Sequence, residues 1–477
     1  MSDTIGAVQR GEPLGYREIR DENGRVYRVG ESPKQLMGYG RWVMVLVPWI
    51  AMLSISTFEY GWGAAEKTLA GAYHWNLSEA FWNYTVYVIF EAGASFPTGW
   101  MREHHILKPR HAVLIGGVMV LGAYIALANS SHLWIAYVFY AAVGGWGSGM
   151  VYSSCINMTS KWYPERKGLR TGFVNGAYAY GSVPFIFLFS YDFTKSNYGS
   201  ILVMVGIILG GILIASSFFF KDPPKNWWPA EVDPIAWRQN ARSRALRKNP
   251  PAPYQWSPRE TIRTWQVYVL WITFVLIAGV SLFGTGFNTP FAKHDHFGAF
   301  VAAASLGLLA VVNGAGRAFV GWVSDQLGRR NTMTLFFAME GVVQFGVLLA
   351  GEIHSAPLFI FFAFFAGLGG GCLFPLFATI TPDYYGENNN SSNYGIVYSA
   401  KIVGGVYGGV TSALVVTHFG YIGAYVLAGC LGLVAAALTR TFRRPVAPVE
   451  AMERQRAGGQ AGAVLPGAEP LGGMAGA

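Results

Sequence analysis

Residues 313–330 read NGAGRAFVGWVSDQLGRR: Arg317 stands inside an apolar, glycine-rich segment that turns polar eight residues later at Asp325 and then meets the basic pair Arg329 and Arg330. The apolar part begins near residue 299. At about 1.5 Å rise per helical residue it crosses a hydrocarbon layer roughly 30 Å thick, and Arg317 lies roughly 12 Å in from its polar end. Eleven further runs of similar length lie near 42–64, 77–100, 111–130, 133–158, 169–191, 199–220, 265–291, 332–351, 356–380, 393–416 and 420–440. The 477 residues are 52% hydrophobic, 15% aromatic and only 13% charged, with mean hydropathy +0.32. The chain therefore reads as an all-α integral membrane protein with twelve transmembrane helices in two pseudo-symmetric six-helix bundles. Sixty glycines suit helices that approach closely through small side chains.

Orientation follows from the cations. With both termini cytoplasmic, 30 of the 35 Lys and Arg fall in inner segments and only Lys67, Lys195 and Lys293 in outer loops. That bias satisfies the positive-inside rule and predicts a multi-pass protein of a cytoplasmic (inner) membrane. It also accounts for the net charge of +9 through a basic face near anionic lipid, with no nucleic-acid partner. The expected domains are a cytoplasmic N-terminal tail (1–41), a first bundle (42–220), a Pro-, Trp- and Arg-rich cytoplasmic linker (221–264), a second bundle (265–441) and a disordered cytoplasmic tail (442–477). Cys155, Cys372 and Cys430 all fall inside apolar runs, so no disulfide framework is implied, and the polar first forty residues hold no cleavable signal peptide.

The two cations left over are Arg317 and Lys401, each in the middle of an apolar run. Lys401 lies eight residues after Asn393, so both cations sit at about the same depth, roughly 12 Å from the inner edge. Burying either costs about 2.5–3.5 kcal/mol on the lenient insertion scale, so something must compensate. Snorkelling over that depth exceeds the reach of a lysine. One compensation is pairing with an intramembrane acid, for which Glu59, Glu91 and Glu340 are available; the other, preferred for two matched cations on facing helices, is a shared anion.

The halves resemble each other. SKWYPERKGLRTGFVNGAYAYGS (160–182) aligns with PDYYGENNNSSNYGIVYSAKIVGG (382–405) when Gly172 faces Gly395 and one inserted residue is allowed, and FPTGWMRE (96–103) parallels FVGWVSDQ (319–326). Weakly similar six-helix halves are the mark of a transporter with its site at their interface near the midplane. In that alignment Tyr178 faces Lys401, Tyr398 faces Asn175, and Glu91 is the partner of Asn313.

Gly321–Arg330 resembles the G-x-x-x-D-x-x-G-R-[RK] loop of the major facilitator superfamily. The resemblance implies the major facilitator fold and assigns Asp325, Arg329 and Arg330 to gating. The equivalent loop Gly99–Arg110 departs from the pattern, with Glu103 near the acidic position and no glycine before a basic pair. Within the superfamily, ISTFEYGW (55–62), VYSSCINMTSKWYPERKGLRTGF (151–173), NGAGRAFVGWVSDQLGR (313–329) and NYGIVYSAK (393–401) resemble the oxalate:formate antiporter family. This implies that Arg317 and Lys401 bind a carboxylate, with Asn313 and an aromatic cage of Tyr60, Tyr152, Tyr178 and Tyr398 around it, and Trp62 as a further aromatic. Two positions depart from that family: Glu59 stands where a glutamine is expected, and Leu368 where a tryptophan is expected.

The expected function is secondary transport of small carboxylate anions by alternating access, as an oxalate/formate-type exchanger. The alternative is proton-coupled mono- or dicarboxylate symport, with Glu59 and Glu91 as candidate proton carriers, since a buried carboxylate can hold a proton unless a nearby cation keeps it charged. A carboxylate sensor that transports nothing is a third reading; the paired halves and the gating loop favour transport. Glu340 is expected to be a peripheral acid near a helix interface. His294 and His296 flank Asp295, and His104 and His105 sit in another short loop, without the further ligands a metal needs. GLGGG (367–371) follows no strand and reads as helix packing. No P-loop and no nucleophile with a positioned base is present, so the reading is of a protein that is not an enzyme, needs no cofactor or metal, and works as a monomer with a small carboxylate and the lipid bilayer as its partners.

Overall fold

The computed structural model describes residues 15–20, 26–103, 106–129, 131–224, 226–241, 249, 252, 254–386 and 389–446. Residues 1–14, 21–25, 242–248 and 447–477 of the expected tails and linker, and His104 and His105, lie outside the described residues.

Each of the twelve expected runs falls on helix. The first is broken into α1 (Val43–Ile55), α2 (Thr57–Tyr60) and α3 (Trp62–Tyr73). Then come α4 (Leu77–Glu103), α5 (Pro109–Asn129), α6 (Gly144–Trp162), α7 (Lys167–Tyr180), α8 (Val183–Tyr191) and α9 (Tyr198–Ser217). The second half comprises α10 (Trp265–His294), α11 (Ala299–Leu327), α12 (Arg329–Glu352), α13 (Ala356–Tyr385), α14 (Asn390–Tyr398), α15 (Ala400–Val406) and α16 (Ser412–Leu438). Among the described residues, nine helical stretches are long and apolar enough to cross a membrane. One of them, Ser392–Thr441, takes in two expected runs, and its break falls at Gly420, whose φ of 70° and ψ of −179° interrupt α16. Only a residue without a Cβ adopts that backbone freely.

The fold is helical as expected, with one addition. Strand β1 (Arg17–Arg20) pairs antiparallel with β2 (Val26–Val29), and β2 pairs parallel with β3 (Trp227–Trp228). The sheet thus ties the segment ahead of α1 to the segment between the halves. Tyr27, Val29 and Trp228 bury its apolar side chains, and Trp162 Nε1 donates to the Lys221 carbonyl at 2.7 Å.

One end of the molecule, the terminal face, gathers this sheet and the ends of several helices. Arg329 binds Asp325 at 2.7 Å and Asp383 at 3.1 Å, clasping α11, α12 and α13. Asn249 joins the same clasp by accepting from Arg329 N at 2.9 Å and donating to the Ser324 carbonyl at 3.2 Å. Arg330 is exposed and has no ion-pair partner among the described residues. In the first half the acid comes from the connecting segment: Asp222 meets Arg102 at 2.8 Å and Lys161 at 3.1 Å, with Arg102 fully buried.

The opposite end is sealed where the halves meet. Tyr84 donates to the Leu282 carbonyl at 3.2 Å, Phe81 stacks on Phe287 at 4.1 Å, and Lys293 Nζ donates to the Ala64 carbonyl at 3.2 Å. Gly63 allows a close backbone approach, since a Cβ there would lie 2.6 Å from the Gly286 carbonyl oxygen and 3.1 Å from that of Thr285. Gly63→Ala is therefore expected to hold this end ajar. A cysteine introduced at the buried Thr285 should then react about tenfold faster with a membrane-impermeant maleimide, a shift of ~1.4 kcal/mol in the opening equilibrium. Unchanged labelling would mean that the seal does not depend on this contact.

Candidate functional site

Glycine contacts bring the polar residues together. Gly176 and Gly314 touch backbone to backbone, so α7 of the first half and α11 of the second approach closely enough for Arg317, one turn past Gly314, to reach Asn175. On the other side of α11, the GLGGG run of α13 packs as the sequence reading expected: a Cβ on Gly371 would collide with the Asn313 carbonyl oxygen. Gly149 of α6 presses on the Glu91 carbonyl in the same way and fixes α4.

Arg317 is 2% exposed and its guanidinium is almost fully engaged. Nη1 donates to the Asn175 carbonyl at 3.1 Å and to Asn175 Oδ1 at 2.6 Å, while Nη2 donates to Asn313 Oδ1 at 2.9 Å. Tyr60 also donates to Asn313 Oδ1 at 3.1 Å, and Tyr152 to Asn175 Oδ1 at 3.1 Å. Arg317 Nε, Asn313 Nδ2 and the Tyr398 hydroxyl are buried without a hydrogen-bond partner.

Lys401 lies just past the helix break at Ser399 and is 1% exposed. Its Nζ is 3.0 Å from Glu59 Oε2 and 2.9 Å from Glu91 Oε2. This revises the preference for a shared anion as what compensates both cations: Lys401 is compensated by two acids of the opposite half. The reason is burial, because an ammonium in a dry interior needs charged partners at contact distance and α2 and α4 supply them. Tyr178 adds a third contact, donating to Glu59 Oε2 at 3.0 Å. The remaining oxygens, Glu59 Oε1 and Glu91 Oε1, have no partner. With all four groups ionised, two cations meet two carboxylates.

The Phe374 ring lies between the cations, its centroid 4.6 Å from the Arg317 guanidinium and 5.6 Å from Lys401 Nζ. A ring face attracts both charges while keeping them apart. Tyr152 stacks toward Tyr398 at 6.5 Å and meets Tyr178 edge-on at 5.4 Å; Tyr60 meets Tyr178 edge-on at 6.0 Å. Tyr152, Asn175, Ile156 and Tyr394 are half-buried on the terminal-face side, whereas Tyr60, Tyr84 and Tyr178 on the sealed side are buried.

All of Arg317, Lys401, Asn313, Tyr60, Tyr152, Tyr178, Tyr398, Glu59 and Glu91 thus converge. Trp62 does not; it packs on Tyr140 at 5.5 Å inside the first half. Glu340 is corrected from peripheral to buried: it is 1% exposed, accepts from Gln344 at 2.9 Å and presses against Gly369. His294 pairs with its neighbour Asp295 at 2.8 Å. Sequence reading missed Phe374 and the role of Asn175 as a ligand of Arg317. A signal for the latter was present, since the tetrapeptide Val-Asn-Gly-Ala occurs at 174–177 and again at 312–315, and the two copies are the segments that touch.

Two helical halves meeting on a buried, charge-balanced polar cluster define a membrane transporter. A family model of the Major Facilitator Superfamily matches residues 44–400 and 314–468, and the chain belongs to this superfamily of multi-pass, non-enzymatic transporters. The oxalate:formate antiporter of Oxalobacter formigenes is 26% identical over 416 residues, 86% of this chain and 94% of that protein. The uncharacterized MFS-type transporter YhjX of Escherichia coli K12 is 22% identical over 367 residues, 77% and 86% of the two chains. Among solved structures, a D-xylose-proton symporter superposes with a TM-score of 0.64 at 13% identity, covering 85% of this chain and 97% of that one; the likeness is one of fold.

Proposed function

We propose that the chain is a proton-coupled carrier of small carboxylates, working by alternating access as a monomer in a cytoplasmic membrane with both termini on the cytoplasmic side. The pairing of Lys401 with Glu59 and Glu91 carries this reading. Because the acids already neutralise the cations, the halves can close over the cluster before substrate binds, which a carrier needs for an unloaded return. A carboxylate that docks on Arg317 adds negative charge to this balanced, desolvated site. Uptake of one proton on Glu59 or Glu91 for each added charge restores the balance and lets the loaded site close. Arg317 supplies the planar fork for the carboxylate, Asn313 and Tyr60 orient it, and Tyr152, Tyr178 and Tyr398 exclude water. Asp325 and Arg329 act as the terminal-face latch; Arg330, exposed beside it, adds charge to that face.

Glu59→Gln and Glu91→Gln test the reading, since each leaves Lys401 one carboxylate. In proteoliposomes carrying a panel of radiolabelled mono- and dicarboxylates, each variant is expected to lose uptake driven by an inward proton gradient by about tenfold or more while retaining counterflow. Gradient-driven uptake at the wild-type rate in both variants would remove the acids from coupling. Anion exchange without protons is the second reading, supported by the 26% likeness to the oxalate:formate antiporter; it expects wild-type transport only against a counter-anion, with no effect of the pH gradient.

A further inference from the structure

The fork of Arg317 is held by an amide of the opposite half. Asn175 Oδ1 sits 2.6 Å from Nη1, Asn175 O sits 3.1 Å from the same nitrogen, and Tyr152 donates to that same Oδ1 at 3.1 Å. An amide oxygen placed in this way has the direction and distance of a carboxylate oxygen on a guanidinium. Asn175 and Tyr152 are also half-buried, whereas Arg317 is 2% exposed, so the two residues on the fork are more open than the guanidinium they hold. The bond is not local helix chemistry: it joins α7 to α11 at the Gly176–Gly314 contact, 142 residues apart in sequence.

We propose that Asn175 is a positioning residue that competes with the transported anion for Arg317. Its amide oxygen holds the guanidinium fork aimed and the halves together at this level, and a docking carboxylate displaces it, freeing Asn175 and the Tyr152 hydroxyl to close around the anion. The competition sets affinity: each substrate must outbid one neutral amide, which a carboxylate does through its charge and a neutral solute does not. The affinity statement rests on Arg317 being the anion-binding group; the bridging statement does not.

Asn175→Asp and Asn175→Ala separate the two. An aspartate at 175 is a tethered carboxylate on Arg317, and an alanine takes the side-chain oxygen off Nη1 while leaving the main-chain carbonyl of residue 175 and Asn313 in place. Spin labels at Leu169 and Trp322, both exposed near the terminal-face ends of α7 and α11, report the separation of the halves in the full-length protein with Cys430 replaced by serine. Without any anion, Asn175→Asp is expected to narrow the distance distribution toward its short end and Asn175→Ala to broaden it toward its long end. With formate as probe, Asn175→Ala should lower the KM for uptake about tenfold while also lowering the maximal rate, and Asn175→Asp should raise the KM by at least as much. A residue that merely packs would lower the rate and leave the KM unmoved.

Identical distance distributions in the three proteins, or a KM raised by alanine, overturn the proposal. Shifted distributions together with no formate transport in the wild-type protein support the bridging role and count instead against the carboxylate reading.

Discussion

Lys401→Gln is expected to abolish transport and to destabilise the folded protein together. Its Nζ is the counter-ion for two carboxylates at 3.0 and 2.9 Å, and Glu59, Glu91 and Lys401 are each about 1% exposed or less. Removing one partner of a buried ion pair leaves uncompensated charge and costs about 3–5 kcal/mol. Here the loss strands two acids. The midpoint of thermal unfolding in detergent or nanodiscs should fall by several degrees. Combining Lys401→Gln with Glu59→Gln and Glu91→Gln removes all three charges and is expected to recover most of that stability while leaving transport absent. Loss of transport with no change in the midpoint would mean that the acids are not held by Lys401.

Arg317→Lys is the second large effect, because it keeps the charge and removes the fork. The guanidinium holds Asn175 and Asn313 from different nitrogens and lies on the Phe374 face. An ammonium is a point donor and cannot span both amides in the plane that a carboxylate requires. With hydrogen bonds to charged groups contributing about 1.5–3 kcal/mol each, the KM for the transported carboxylate should rise on the order of 100-fold. Arg317→Gln should leave no measurable uptake. A lysine variant with wild-type KM would show that charge alone suffices and that the fork plays no part.

Several features were legible in the sequence because they follow from local composition. Apolar runs, the one-sided distribution of Lys and Arg, and the Gly321–Arg330 loop needed no tertiary information, and the Arg329–Asp325 contact joins residues only four apart across the break at Gly328. Arg317 and Lys401 stood out because every other cation had a place outside the lipid. What they touch could not be read in the same way. Lys401 meets Glu59 and Glu91 across 342 and 310 residues, through helices interrupted at Ser56, Gly61 and Ser399 that no spacing rule anticipates. Aligning the halves paired Tyr178 with Lys401 and so passed over the second alignment in which Asn175 and Asn313 are equivalent. Glu340 was misplaced for a related reason: its depth along α12 was readable, but the face it presents to Gly369 depends on how α13 packs. Asp222, the acid that binds Arg102, lies in the connecting segment, far in sequence from the Gly99–Arg110 loop.

The most direct measurement of the central claim is proton movement during anion uptake by the wild-type protein. In proteoliposomes with an internal pH indicator and a radiolabelled monocarboxylate that the panel identifies as transported, the account predicts internal acidification with one proton taken up per anion. It also predicts a flux that does not change when a potassium–valinomycin potential is imposed, since the loaded cluster is neutral. Uptake with no proton movement, obtained only when a counter-anion is trapped inside, would contradict it and leave anion exchange as the function.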